Sequence, residues 1–64
     1  MTQTGERIRT AVRELPLRQM RLVQLHLFQQ EPLAAVARRL HITPEQARAE
    51  LDAALAELRR KLGH

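Results

Sequence analysis

Gln46 and Arg48, in the stretch "TPEQARAEL", have the chemistry to read the edges of nucleic-acid bases. A glutamine amide pairs bidentately with adenine and an arginine guanidinium with guanine, provided a rigid support aims them into the major groove. Thr43 and Glu45 stand beside them, and Arg38 and Arg39 lie a few residues upstream, where they could neutralise phosphates. Arg38, Arg39, Thr43, Glu45, Gln46 and Arg48 are therefore the candidate DNA-binding residues. A blander reading is equally compatible with the letters: "TPEQ" as a helix-capping box, Arg48 as a surface arginine and Arg38-Arg39 as a solvated helix face. Other chemistries are poorly provided for. There is no serine or cysteine nucleophile, no glycine-rich phosphate loop and no carboxylate pair that so small a chain could desolvate in a pocket. His26, His41 and His64 lack metal-ligand spacing and have no cysteine to join them. No metal and no cofactor are expected, and the chain is not read as an enzyme.

The scaffold for these residues must be small. Residues 1–64 form one domain at most, and a chain of this length buries only roughly 60% of the surface it exposes when unfolded. With 44% hydrophobic residues, two glycines and three prolines, a packed core is still expected. The absence of cysteine suits a reducing compartment. No apolar run reaches the length of a membrane span and the N-terminus lacks the hydrophobic block of a secretory signal, so a cytoplasmic protein is expected. Eleven basic residues against seven acidic give a net charge of +4, which favours an acidic partner. The charge is unevenly spread. Residues 6–22 carry five arginines and two acids, whereas residues 44–58 carry one arginine and four acids.

No segment alternates apolar and polar residues, and the periodicity predicts an all-α fold of four helices. The first spans about residues 5–15, with Ile8, Ala11, Val12 and Leu15 on one face, Thr4 as N-cap and Glu6 in the first turn. Pro16 stops it and opens a second helix, about residues 16–30, whose Leu17, Met20, Leu22, Val23, Leu25, Leu27 and Phe28 occupy more than one stripe and predict a central core helix. A short third helix carries Leu33, Val36, Ala37 and Leu40. Thr43, Pro44 and Gln46 then form an N-terminal cap for a long fourth helix that runs to about Leu62, with Gly63 just beyond it. Ala47, Leu51, Leu55, Leu58 and Leu62 recur by fours and threes along it, and the later leucines must pack either on the first helix or on another molecule.

A short helix, a three-residue connection and a longer capped helix has the sequence form of a helix-turn-helix. Across residues 7–62 the chain resembles region 4 of the bacterial sigma-70 family, in particular its extracytoplasmic-function branch. Leu15, Pro16, Arg18 and Gln19 match the opening; Leu33, Val36, Ala37 and Leu40 match the short helix; Ile42, Thr43, Ala47 and Leu51 match the turn and the recognition helix. A looser resemblance, through "RRKLGH", is to the terminal domain of LuxR-type response regulators. The sigma resemblance implies a cytoplasmic transcription module that reads the −35 promoter element through the helix beginning at Pro44. It also implies that an apolar patch on the first helices holds the flap of the RNA polymerase β subunit or meets a sigma regulator.

The chain departs from that pattern in two places. His41 stands where the family usually has a glycine in a left-handed turn, a substitution that costs roughly 1–2 kcal/mol. Glu50, Ala53 and Leu55 stand where the family usually has a basic residue followed by a serine, then arginine or lysine, which approach the phosphates. Two expectations follow. In the first, the domain binds promoter DNA, docks on polymerase, or both. In the second, it keeps the fold, has lost DNA reading to its acidic fourth helix, and acts by contact with proteins or with a second copy. For such contacts the candidate partner-binding residues are Ile8, Val12, Leu55, Leu58 and Leu62, the last three as a homodimer seam.

Overall fold

A computed structural model describes residues 2–63, with side chains for residues 5–63. Among the described residues there are four helices and no strand: α1 (Thr2–Arg13), α2 (Leu17–Leu22), α3 (Leu33–Arg39) and α4 (Pro44–Lys61). The second helix continues without a break into a π-helical segment, Val23–Phe28. The all-α architecture is the one the hydrophobic periodicity predicts.

Helix α1 begins at Thr2, so the expected cap Thr4 lies inside it and Glu6 lies beyond the first turn. The Thr4 side chain is outside the described residues. The helix ends at Arg13, earlier than expected, but a tight turn follows in which the Leu15 N–H donates to the Val12 carbonyl at 3.1 Å and Leu15 still reaches the core. Pro16 is the N-cap of α2 rather than its first residue, with φ −52° and ψ 149°. Its carbonyl accepts the Met20 N–H at 2.9 Å, which starts the next helix.

The π-helical segment alters what the second helix buries. The Gln29 N–H donates five residues back, to the Gln24 carbonyl, and the Glu31 N–H donates to the Leu25 carbonyl, both at 3.0 Å. Gln30, at φ 59°, reverses the chain in the left-handed region. His26 holds this end: its Nδ1 lies 2.8 Å from the Glu31 carbonyl oxygen, which only accepts, so Nδ1 carries the proton. With more residues per turn, the last side chains of this segment leave the stripe that a regular α-helix would present to the core, while Leu25 still packs against it. Leu22 and Val23 are buried, but Leu27 (42% exposed) and Phe28 (50%) face outward, as does Leu17 on the first turn of α2. The expectation that these three belong to the core is therefore corrected.

Leu40 to Thr43 connect α3 to α4. His41 adopts φ 60°; its N–H donates to the Arg38 carbonyl at 3.2 Å and the Ile42 N–H to the Ala37 carbonyl at 3.0 Å. This pair of bonds is a Schellman motif, which satisfies the last carbonyls of α3 and turns Ile42 back onto that helix. Helix α4 then starts as expected. The Thr43 Oγ1 accepts the Gln46 N–H and the Gln46 Oε1 accepts the Thr43 N–H, both at 3.0 Å, with Pro44 in the first turn. At the far end Gly63, at φ 83°, follows the last turn.

Two apolar clusters meet along the second helix. Leu22, Val36, Ala37 and Ala47 lock α2, α3 and the start of α4 together, with Leu40 and Ile42 packed against them. Ala11, Val12, Leu15, Val23, Leu51, Ala54 and Leu58 join α1 to the rest of α4. Of the candidate partner-binding residues, Val12 (1% exposed) and Leu58 (8%) belong to the core. Ile8, Leu55 and Leu62 are partly buried against the same cluster. The leucine face of α4 thus packs at least in part on α1, the first of the two alternatives that its spacing leaves open.

The turn carries a stability prediction. His41→Gly should relieve the left-handed strain, and after the entropy that glycine adds to the unfolded chain the net gain should be about 1 kcal/mol. For a domain of this size that corresponds to a melting midpoint higher by about 4–8 °C. Thermal unfolding of the two proteins at one pH checks this, and an unchanged or lower midpoint contradicts it.

Candidate nucleic-acid interface

The capping box decides which residues α4 presents. Its first turn is closed by Thr43 and Gln46, so an N–H that would otherwise lack a partner is satisfied and the helix axis begins at a defined point. At 3.6 residues per turn, Ala47, Leu51, Ala54 and Leu58 then fall on one buried face. Gln46, Ala49 and Ala53 lie on the side facing solvent, with Glu50 at one edge and Arg48 and Asp52 towards the other. The six candidate DNA-binding residues are all exposed, and the turn places the C-terminal end of α3, with Arg38 and Arg39, just before the N-terminal end of α4.

The electrostatics of this surface are less basic than its letters suggest. Arg48 Nε lies 3.7 Å from Asp52 Oδ1, one turn further along, with both side chains about two-thirds exposed. Arg39 Nη2 lies 3.3 Å from Glu31 Oε2. Arg38 has no ion-pair partner among the described residues. Exposed pairs of this kind, in which no second side chain holds the carboxylate, are weak, so a phosphate can displace them. Gln46 gives its Oε1 to the Thr43 N–H, which leaves its amide N–H groups free to donate.

Glu50 is the residue whose environment the sequence conceals. Its Oε2 is 3.5 Å from Arg18 Nη1 and its Oε1 accepts from Gln19 Nε2 at 3.3 Å. The contact spans 32 positions, so no local spacing signals it. Arg18 and Gln19 of the Leu-Pro-x-Arg-Gln stretch thereby link the start of α2 to the second turn of α4. Farther along α4, Lys61 Nζ lies 3.1 Å from Glu14 Oε1 and 4.0 Å from Glu57 Oε2, joining α4 to the segment after α1. Glu57 also accepts from the Arg60 guanidinium.

A second surface lies between α1 and the second helix. Arg9, Val12 and Arg13 of α1 and Gln24, Phe28 and Gln29 of the second helix line a groove of about 280 Å³. Ile8 and Gly5 extend it past Arg9 and Phe28. The chain's single aromatic residue thus stands half exposed between two arginines that have no ion-pair partner among the described residues. Leu62 lines a separate groove with Ala11 and Lys61.

Compared with known proteins, the chain matches no family model, no curated protein and no solved structure. Among the described residues no three metal-ligating side chains come together, and no helix is long and apolar enough to cross a membrane. His64 lies outside the described residues.

The Glu57 pair has a sign that can be measured. The hydrogen bond from Arg60, helped by the charges of Arg60 and Lys61 and opposed by slight desolvation, holds the Glu57 carboxyl below its ordinary 4.5. The same bond raises Arg60. With the folded-state value depressed, this contribution to stability is present above the ordinary carboxylate range and is lost as pH falls through the lowered value. Titration followed by side-chain carboxyl NMR should give a Glu57 midpoint below 4.5 that moves upward in Arg60→Gln. An identical midpoint in the two proteins contradicts this.

Proposed function

We propose that the chain is a sigma region-4-like transcription module that sets the first turns of α4 into the major groove of promoter DNA. One observation carries the reading. A short helix, a left-handed turn and a capped helix hold Gln46 and Arg48 in solvent at the start of α4, with Arg38 and Arg39 at the end of the helix before it. Helix-turn-helix proteins read base edges with the N-terminal residues of the second helix in this way. Gln46 is the candidate reader of adenine and Arg48 of guanine, and the exposed Ala49 methyl suits a thymine methyl. Arg38 and Arg39 supply phosphate contacts. Thr43 and Glu45 flank the reading residues, Thr43 as the cap that orients the helix.

The test is duplex binding as a function of salt. Each phosphate neutralised adds about 0.9 to the slope of log affinity against log salt, so Arg38 and Arg39 together predict a slope of about −2. Anisotropy of a labelled duplex from about 50 to 200 mM salt reads this directly. Arg38→Gln should weaken binding to all sequences alike, whereas Gln46→Ala should weaken it at some sequences only. No binding at the lowest salt, or a flat salt response, rules the reading out.

A second reading, protein docking, is favoured by the groove around Phe28. Its half-exposed Phe28 and its two arginines suit a helix with an apolar anchor and acidic residues, such as a segment of the RNA polymerase β flap or a sigma regulator. Phe28→Ser should leave the melting midpoint nearly unchanged, since the ring is half exposed, and lower affinity for polymerase about tenfold, as loss of an interface anchor does. Unchanged affinity for polymerase contradicts docking through this groove.

A further inference from the structure

We infer that Glu50 sets how strongly the α4 face holds a polyanion, chiefly by keeping Arg18 occupied; this rests on the duplex-binding reading. Glu50 lies one turn after Gln46, at the edge of the exposed face, with its side chain 32% exposed. Arg18, 51% exposed, reaches it from the start of α2 at 3.5 Å, and Gln19 fixes the other carboxylate oxygen at 3.3 Å. Without the carboxylate, the Arg18 guanidinium would stand as a free positive charge next to the side of α4 that carries Gln46. With it, the pair is neutral. A phosphate and a carboxylate compete for the same guanidinium edge, since both accept two parallel N–H groups. The 3.5 Å contact is too long and too exposed to add much stability, so its larger consequence is for what approaches from outside. Gln19 strengthens the competition by aiming the carboxylate at Arg18, and its own amide is then satisfied.

Four proteins separate this arrangement from a plain charge effect: the unchanged chain, E50Q, R18Q and E50Q/R18Q. The E50Q side chain retains an acceptor for Gln19, so the link between α2 and α4 is kept. Duplex anisotropy at about 100 mM salt should show E50Q binding five- to tenfold tighter, with the salt slope steeper by about 0.9, the value of one added phosphate contact. In the R18Q background the same change should gain no more than about twofold. R18Q alone should alter affinity less than twofold, because the arginine it removes is already engaged; this arm stands even if E50Q does not fold. Equal gains in both backgrounds overturn the inference, as does no gain while the unchanged chain binds, or a tenfold loss in R18Q alone. If none of the four binds at any salt, the duplex reading itself falls and this inference falls with it.

Discussion

The structure depends on one close approach. Ala37 of α3 and Ala47 of α4 are both fully buried and sit beneath Leu22, so two helices meet where neither carries more than a methyl group. A larger side chain at either position would push the helices apart, and buried methylenes forced into a packed site typically cost about 1–3 kcal/mol. The Schellman turn at His41 follows from the same constraint. The chain must reverse within four residues and return Ile42 to the crossing, and a left-handed residue with two backbone hydrogen bonds does this. Histidine tolerates that conformation better than a branched residue would. The exposed start of α4 is a product of this geometry.

The rest of α4 is a scaffold. Its length exceeds what the crossing with α3 can cover, and α1 covers the remainder through Ala11, Val12 and Leu15 against Leu51, Ala54 and Leu58. Ion pairs follow the same division. Arg18 and Gln19 fasten the second turn of α4 to α2, and Lys61 reaches Glu14 beyond α1 at the other end. The acids of α4 are thus largely engaged by basic residues of this chain: Glu50 with Arg18, Asp52 with Arg48, Glu57 with Arg60 and Lys61. An acidic helix in sequence becomes a nearly neutral surface in the fold.

Local chemistry makes the capping box and the left-handed turn legible in the amino-acid sequence. "TPEQ" contains all the groups that close the first turn of α4, and His41 occupies a spacing at which a helix must reverse. Periodicity likewise places Val36, Ala37, Ala47 and Leu51 inside. Where a residue's environment is set by the register of another element, letters alone do not suffice. The π-helical segment follows a run of apolar residues indistinguishable from an α-helical one, so the outward turn of Leu27 and Phe28 leaves no mark in the sequence. Val12 and Leu58, candidate contacts for a partner, lie inside because α1 packs against α4 in one apolar cluster. The Arg18, Gln19 and Glu50 contact joins residues more than thirty positions apart, and only the packed fold brings them together.

The central claim is that the turn and the start of α4 form the surface that meets duplex DNA. Amide NMR of the labelled protein, followed while a duplex is added at low salt, tests it residue by residue. The account predicts shifts concentrated on Arg38, Arg39 and residues 43–49, with the groove around Arg9, Arg13 and Phe28 unmoved. Shifts confined to that groove, or none on α4, would contradict it.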